Sequence, residues 1–336
     1  MDIFTHMLAG ALIGEAVFRP RLGRLAPIAG AIAAAVPDLD VLSGCFSADP
    51  FFNLEFHRGP THSLIMLPLL SAALAVIISA LTRRWEIRRC LWLFLAGLLP
   101  MLSHSLIDWL TNYGTQLLWP FDSARYALDW IFIIDPWFDL ILAGALILTW
   151  RQLRRGKPAR GIAARGVAFA LLYVFFLGAL HHMALDRLRD DLKARDLPPA
   201  AVHSYACLPV PLSPFAWNAI YTTGESPDAT ATHTAVFWVL NKSTPRFDTL
   251  LSAPPSPATS AALATPHGQV FIWFARFPVI EQKSLPNGDA EVTVFDARFQ
   301  SQLPFFQRKL VRKPFLFRAI VAPDGAVRST AFAHWE

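Results

Sequence analysis

The chain has 336 residues, of which 54% are hydrophobic and only 16% charged, with a mean hydropathy of +0.38. Soluble chains run at about 45–50% apolar and about 25% charged, so the composition excludes an ordinary soluble domain, a disordered chain and a small disulfide scaffold. The formal net charge of +5 comes from Lys and Arg in short clusters between apolar runs; that pattern speaks against nucleic acid as a partner and reads as the loops of a membrane protein.

The N-terminus lacks the basic n-region of a cleaved signal peptide, so the first apolar segment is expected to stay in the mature protein. Two short runs come first, from Ile3 to Phe18 and from Leu25 to Leu42, joined by the basic turn Arg19 to Arg24. They read as a hairpin of short or partly buried helices, with Glu15 as a buried polar contact or a support for the site. Four longer runs have the roughly 20 apolar residues that a membrane crossing needs: Ser63 to Leu81, Cys90 to Leu110, Ile131 to Trp150 and Ala164 to Leu185. The links holding Arg83, Arg84, Arg88 and Arg89, and Arg151 to Arg165, are expected on the cytoplasmic side. The loops Ser43 to His62 and Thr111 to Trp130, with one Arg each (Arg58 and Arg125), are expected outside, as is the N-terminus. Trp109, Trp119, Trp130 and Trp137 then form an outer aromatic belt, and Trp85, Trp92 and Trp150 an inner one.

After Leu185 a charged stretch to Asp196 and a Pro-rich link lead into β-like runs: Thr234 to Leu240, Gln269 to Phe277, Glu291 to Phe295 and Phe315 to Val321. Turn signals separate them, Pro286-Asn287-Gly288-Asp289 and Pro323-Asp324-Gly325 among them. The stretch Ala253 to Pro266 reads as a mobile loop. The expected fold is a polytopic α-helical membrane domain over residues 1–190, with about five to six membrane helices, followed by a small, mostly β extramembrane domain over residues 191–336, placed outside. Cys45, Cys90 and Cys207 have no CxxC spacing, so neither a thiolate metal site nor a redox motif is signalled. Cys45 and Cys207 would share the outer side, and nothing in the sequence favours their pairing.

Ionisable groups are costly in or against a bilayer and mark function there. His6, Asp38, Asp40, His57, His62, His104, Asp108 and Asp135 all fall at helix ends on the outer side of a topology derived from Lys and Arg alone. Imidazole and carboxylate suit zinc and similar divalent ions. His104 and Asp108 stand four apart on one helix face, Asp38 and Asp40 share a turn after Pro37, and the Gly59-Pro60 turn lets His57 and His62 aim at one point. His6, Asp38, His57, His62, His104 and Asp108 are therefore candidate ligands of a divalent metal, most simply zinc with manganese as the alternative. Asp40 or Asp135 is a candidate general base or support, and Arg58 a candidate bidentate partner for phosphate. One metal, or two about 3.5–4 Å apart, would activate water for phosphoester cleavage. His181 and His182 read as interfacial, and His203, His233, His267 and His334 as structural residues without companions.

In order, a His before a Gly-containing apolar helix, Pro37-Asp38-Leu39-Asp40, His57-Arg58-Gly59-Pro60-Thr61-His62-Ser63, His104-Ser105-Leu106-Ile107-Asp108, Thr111-Asn112-Tyr113-Gly114 and Trp119-Pro120-Phe121 resemble the YdjM-type bacterial inner-membrane proteins. The resemblance spans Met1 to Trp150 and implies a membrane-bound metal-dependent hydrolase of the inner membrane. It further implies a distant similarity to the zinc-dependent phospholipase C and P1 nuclease group, although this chain lacks that group's N-terminal Trp ligand. The partners expected are the bilayer and a lipid or lipid-linked substrate. Neither metal count nor oligomeric state follows from the sequence. Three rival readings stay open: a metal or proton transporter, which would carry its ionisable groups near the bilayer midplane; a nucleophilic-His lipid phosphatase, whose motif wants an Arg where Leu98 stands; and a non-catalytic membrane protein with a structural metal.

Overall fold

A computed structural model of the protein describes residues 1–45, 47, 49–195, 201–226, 229–241, 244–300 and 315–333. The chain forms two units, Met1–Phe46 with Phe56–Gly178, and Ser47–Glu55 with Ala179–Glu336.

The first unit is helical. Asp2 caps α1 (Ile3–Ile13) by accepting from the backbone of Phe4 and Thr5. A π-helical turn, Gly14–Phe18, carries Glu15, which is buried and accepts from Arg19 of α2 (Arg19–Leu22). The chain then returns as α3 (Leu25–Ala35), so the expected hairpin is present. Gly10 and Gly30 bring the two helices to backbone contact: a Cβ on Gly10 would overlap the Gly30 carbonyl. A 3-10 segment, Pro37–Cys45, follows α3 at an angle of 48°. α4 (Pro50–Phe56) and the short turn Pro60–His62 lead into α5 (Met66–Thr82). α6 (Ile87–Trp109), α7 (Pro136–Arg154) and the part of α8 (Arg160–Ala194) up to Gly178 complete the helices of this unit. Leu12, Ile107, Ile131, Phe138, Leu142 and Leu177 form the core where α1, α6, α7 and α8 meet.

The expected five to six spans are not borne out. Among the described residues, α6 and α8 are long and apolar enough to cross a bilayer, and the count reaches four if each of two bent pairs is one span. The physical reason is length and charge. α1 and α3 have 11 residues each, a rise of about 16 Å against a hydrocarbon core of about 30 Å, and α7 carries Asp139, Arg151 and Arg154.

The second unit holds two antiparallel four-stranded meanders, β1 (Val202–Val210), β2 (Ser213–Ser226), β3 (Ala229–Trp238) and β4 (Asp248–Leu251), then β5 (Pro278–Ser284), β6 (Ala290–Asp296), β7 (Leu316–Val321) and β8 (Val327–Ala333). Leu180, Ala184 and Leu188 of α8 pack on Trp217, Cys207 and Tyr221 of the first sheet. His181 lies against Trp217 with ring centroids 5.4 Å apart. The turns at Pro286–Asp289 and Pro323–Gly325 fall where they were read. Two expectations are overturned. Ala253 to Pro266 is not a structureless loop, and Gln269 to Phe274 is not strand: they hold α9 (Pro257–Ala264) and α10 (Pro266–Phe274). Pro257 and Pro266 sit at the first helical positions, where the missing N–H has no intrahelical partner to lose. Ser256 and Thr259 close a capping box ahead of α9, and Thr265 caps α10. His267 has companions that spacing did not reveal: Nδ1 meets Thr330 Oγ1 at 2.7 Å and Nε2 meets Asp49 Oδ2 at 3.2 Å. His233 sits between Thr223 and Thr249, and His203 against the Gly224 carbonyl. His334 lies outside the described residues.

Candidate metal centre

Eight of the nine candidate residues, all but Asp135, meet in the first unit. Local chain geometry explains how. His104 and Asp108 lie one turn apart on α6, both with fully buried side chains. Asp38 and Asp40 sit in the bent 3-10 segment after Pro37. His57 and His62 lie either side of a turn in which Arg58 takes a left-handed backbone, φ 58°. At Gly59 a side chain would meet the Phe56 carbonyl oxygen at 2.8 Å. That turn lets two imidazoles five residues apart face one region, which a regular helix would not allow.

Four atoms form the heart of the cluster. His62 Nε2 and His104 Nε2 face each other at 2.9 Å. Asp38 Oδ1 lies 3.5 Å from each, and Asp108 Oδ2 lies 3.2 Å from His62 and 3.4 Å from His104. Ligand atoms at about 2.0–2.1 Å around a tetrahedral ion are about 3.3 Å apart, so these separations match the edges of such a site. The tautomers agree. His104 Nδ1 is 2.6 Å from the Ala34 carbonyl, which can only accept, so this nitrogen carries the hydrogen and Nε2 offers a lone pair. His62 Nδ1 lies 3.0 Å from Thr61 Oγ1 and 3.4 Å from Asp40 Oδ2, which leaves its Nε2 for the centre in the same way. Two lone pairs and two carboxylate oxygens then converge in a buried place, an arrangement that a cation satisfies. Asp108 Oδ2 has no hydrogen-bond partner, as a ligand oxygen would not.

The other oxygen of Asp108 is occupied. Oδ1 accepts from the amino group of Met1, from Arg58 Nη2 at 3.0 Å and pairs with His6 Nε2 at 3.2 Å. The His6 ring stacks on His104 with centroids 3.6 Å apart. His6 is thus brought to the centre, yet it touches Asp108 rather than the four converging atoms. Arg58, the candidate partner for phosphate, is 1% exposed. Its guanidinium reaches Asp108 and Thr111 Oγ1 (2.8 Å) and covers the Tyr113 ring. A buried carboxylate needs such a partner, and Arg58 pairs with Asp108 inside the protein.

A second group adjoins the first through Asp38. Asp38, Asp40 and His57 can also converge on one ion. His57 Nδ1 is 2.8 Å from Asp40 Oδ1, and Asp40 Oδ2 accepts from the Arg58 amide and from Thr61 Oγ1. Asp135 is not brought to the cluster. Its carboxylate caps α7, accepting from Trp137 and Phe138, and takes the Tyr173 hydroxyl.

The residues 110–131 fold back over the site, and sequence reading assigned them no part in it. Thr111 Oγ1 donates to the Asp108 carbonyl. Gln116 N donates to the Arg58 carbonyl at 2.9 Å, Arg125 Nη2 to the His57 carbonyl at 2.7 Å, and Leu64 N to the Leu117 carbonyl at 3.0 Å. The Tyr126 hydroxyl donates to Asp122, which holds that carboxyl below its ordinary range. The motif Thr111-Asn112-Tyr113-Gly114 was the available signal.

A model of the YdjM inner membrane protein family matches residues 1–188. Inner membrane protein YbcI of Escherichia coli K12 is 37% identical over 140 residues, 38% of this chain and 72% of YbcI. YfhP of Bacillus subtilis 168, described as uncharacterized, is 28% identical over 204 residues, 59% of this chain and 58% of YfhP. The comparisons show no similarity to a phospholipase C or a P1 nuclease, and no solved structure matches the chain. The matched segment contains every residue of the buried cluster, and the chain belongs to the YdjM inner membrane protein family.

Proposed function

We propose that this chain is a metal-dependent hydrolase of the inner membrane that cleaves a phosphoester of a lipid or lipid-linked envelope molecule, with its site and its β-rich unit facing the exterior. The convergence of His62 Nε2, His104 Nε2, Asp38 and Asp108 in one buried place carries the reading. Those four residues, with Asp40 and His57 beside them, would hold divalent metal, zinc or manganese, which would supply Lewis acidity and make hydroxide available near neutral pH. In the reaction the oxygen of water bonds to phosphorus, the ester P–O bond breaks, and the departing alcohol oxygen takes up a proton that the water gives. The chain's part is positioning. The Ala34 carbonyl and Asp40 fix the two imidazoles, while Arg58 and His6 hold Asp108 by its far oxygen. The basic links on the opposite side of the helices support the outward orientation. An apolar cavity of about 150 Å³ between α1, α6, α7 and α8 supports a lipid substrate. Ala9 and Ile107 line it, each within one turn of His6 or Asp108, and it has room for part of an acyl chain.

The test is elemental analysis and phosphoester-lipid hydrolysis by the detergent-purified full chain beside His104→Ala and Asp40→Asn. The wild type is expected to hold stoichiometric metal, His104→Ala to lose metal and activity, and Asp40→Asn to lose about 10–100-fold in activity or metal affinity, as removal of a ligand's support does. Metal-free wild type after supplementation during growth, or full activity of His104→Ala, overturns the reading. Metal without hydrolysis, with Asp40→Asn silent, moves the weight to a structural metal.

A further inference from the structure

The two ligand groups differ in a way that assigns them different parts. The inner group has four protein ligands, and His62, His104 and Asp108 have no exposed side-chain surface. The outer group has three, Asp38, Asp40 and His57, with side chains 11%, 5% and 29% exposed. Zinc sites divide along the same line: closed sites use four protein ligands, whereas reactive sites use three and keep a position open. Asp38 belongs to both groups, and a carboxylate with two oxygens can span neighbouring ions.

The geometry points to a two-ion centre bridged by Asp38, with a closed, tightly held inner ion and an outer ion, on Asp38, Asp40 and His57, that exchanges readily and faces the substrate. This rests on the metal centre proposed above and states how its work is divided. The inner ion ties α6 to the segments bearing Asp38 and His62. An ion held by Asp38, Asp40 and His57 would keep a position open to a phosphoryl oxygen, and paired ions would supply charge stabilisation for both the attacking and the leaving oxygen of a displacement. His57 then matters as a ligand, although its contact with Asp40 alone would read as a hydrogen-bonded pair.

The experiment uses the full chain in detergent, loaded with manganese and freed of excess ion. Metal per chain is counted, and electron paramagnetic resonance reads whether neighbouring ions couple. The wild type should hold two ions with a spin-coupled spectrum. His57→Ala should hold one with an isolated-ion spectrum, which also certifies that the variant is folded, and Asp38→Asn should lose the coupling. Brief chelation of the wild type should remove one ion well before the other. A wild type with one ion, uncoupled, overturns the pair while leaving the metal centre standing; a wild type with none overturns the centre itself. A His57→Ala chain that keeps the coupled pair, or that loses both ions while His57→Gln does the same, overturns the division into two sites.

Discussion

Arg58 shows what a residue's type says and what its surroundings decide. A lone arginine in a His-rich loop reads as an anion binder, because its guanidinium matches phosphate. In the structure the left-handed backbone at position 58 turns that side chain inward onto Asp108, Thr111 and Tyr113. Removing one partner of a buried ion pair costs far more than the pair contributes. Arg58→Leu is therefore expected to destabilise the protein by about 3–5 kcal/mol, whereas Thr111→Val, which removes a hydroxyl that accepts from Arg58 and donates to the Asp108 carbonyl, costs about 1.5–3 kcal/mol. Thermal unfolding in detergent measures both, and an Arg58→Leu chain as stable as the wild type would return the arginine to a substrate-facing role. His6 and Asp135 make the same point. Each was chosen for its position at a helix end, but His6 meets the centre through Asp108, and Asp135 is spent on capping α7 and accepting from Tyr173.

At the scale of elements, helical periodicity was legible and the turns between helices were partly so. The i, i+4 spacing of His104 and Asp108 needs only a helix, so it holds as read. The meeting of α1 with α3 needs small residues in register, which no single helix reveals. Gly10→Ala pushes a methyl into the Gly30 carbonyl. It is expected to cost about 1–3 kcal/mol as overpacking and, by moving His6 from Asp108, to weaken metal retention. Gly144→Ala in α7 meets nothing within 4 Å and serves as the control; alanine there is expected to be neutral or to stabilise by about 0.5–1 kcal/mol. Equal melting temperatures for the two variants would show that the α1–α3 contact is dispensable. The helices α9 and α10 were missed for a different reason. Proline is a breaker inside a helix but a good first residue, and only the Ser256 and Thr265 caps tell the two apart.

For the whole molecule, the inner ligands come from α6, from the segment after α3 and from the turn before α5, so an ion there would cross-link parts of the chain distant in sequence. A ligand present at 100 times its dissociation constant stabilises the folded state by about 2.7 kcal/mol. Chelation is expected to lower the melting temperature of the wild type by several degrees and to lower that of His104→Ala by less. An equal drop in both would place any metal effect elsewhere.

The sequence by itself determined the division into a helical, apolar first part and a β-rich second part, most of the His and Asp residues that meet in the cluster, and the family, because composition, periodicity and ordered motifs are local properties. It could not set the number of crossings, since chain length in a helix depends on where the helix bends. Only the tertiary structure decided which carboxylate oxygen faces the cluster, that Arg58 turns inward, that residues 110–131 clasp the His57 and Arg58 carbonyls, and that Asp38 belongs to two groups that could each hold an ion. Those outcomes depend on atoms brought together from positions up to about a hundred residues apart, and such contacts exist only once the helices have packed.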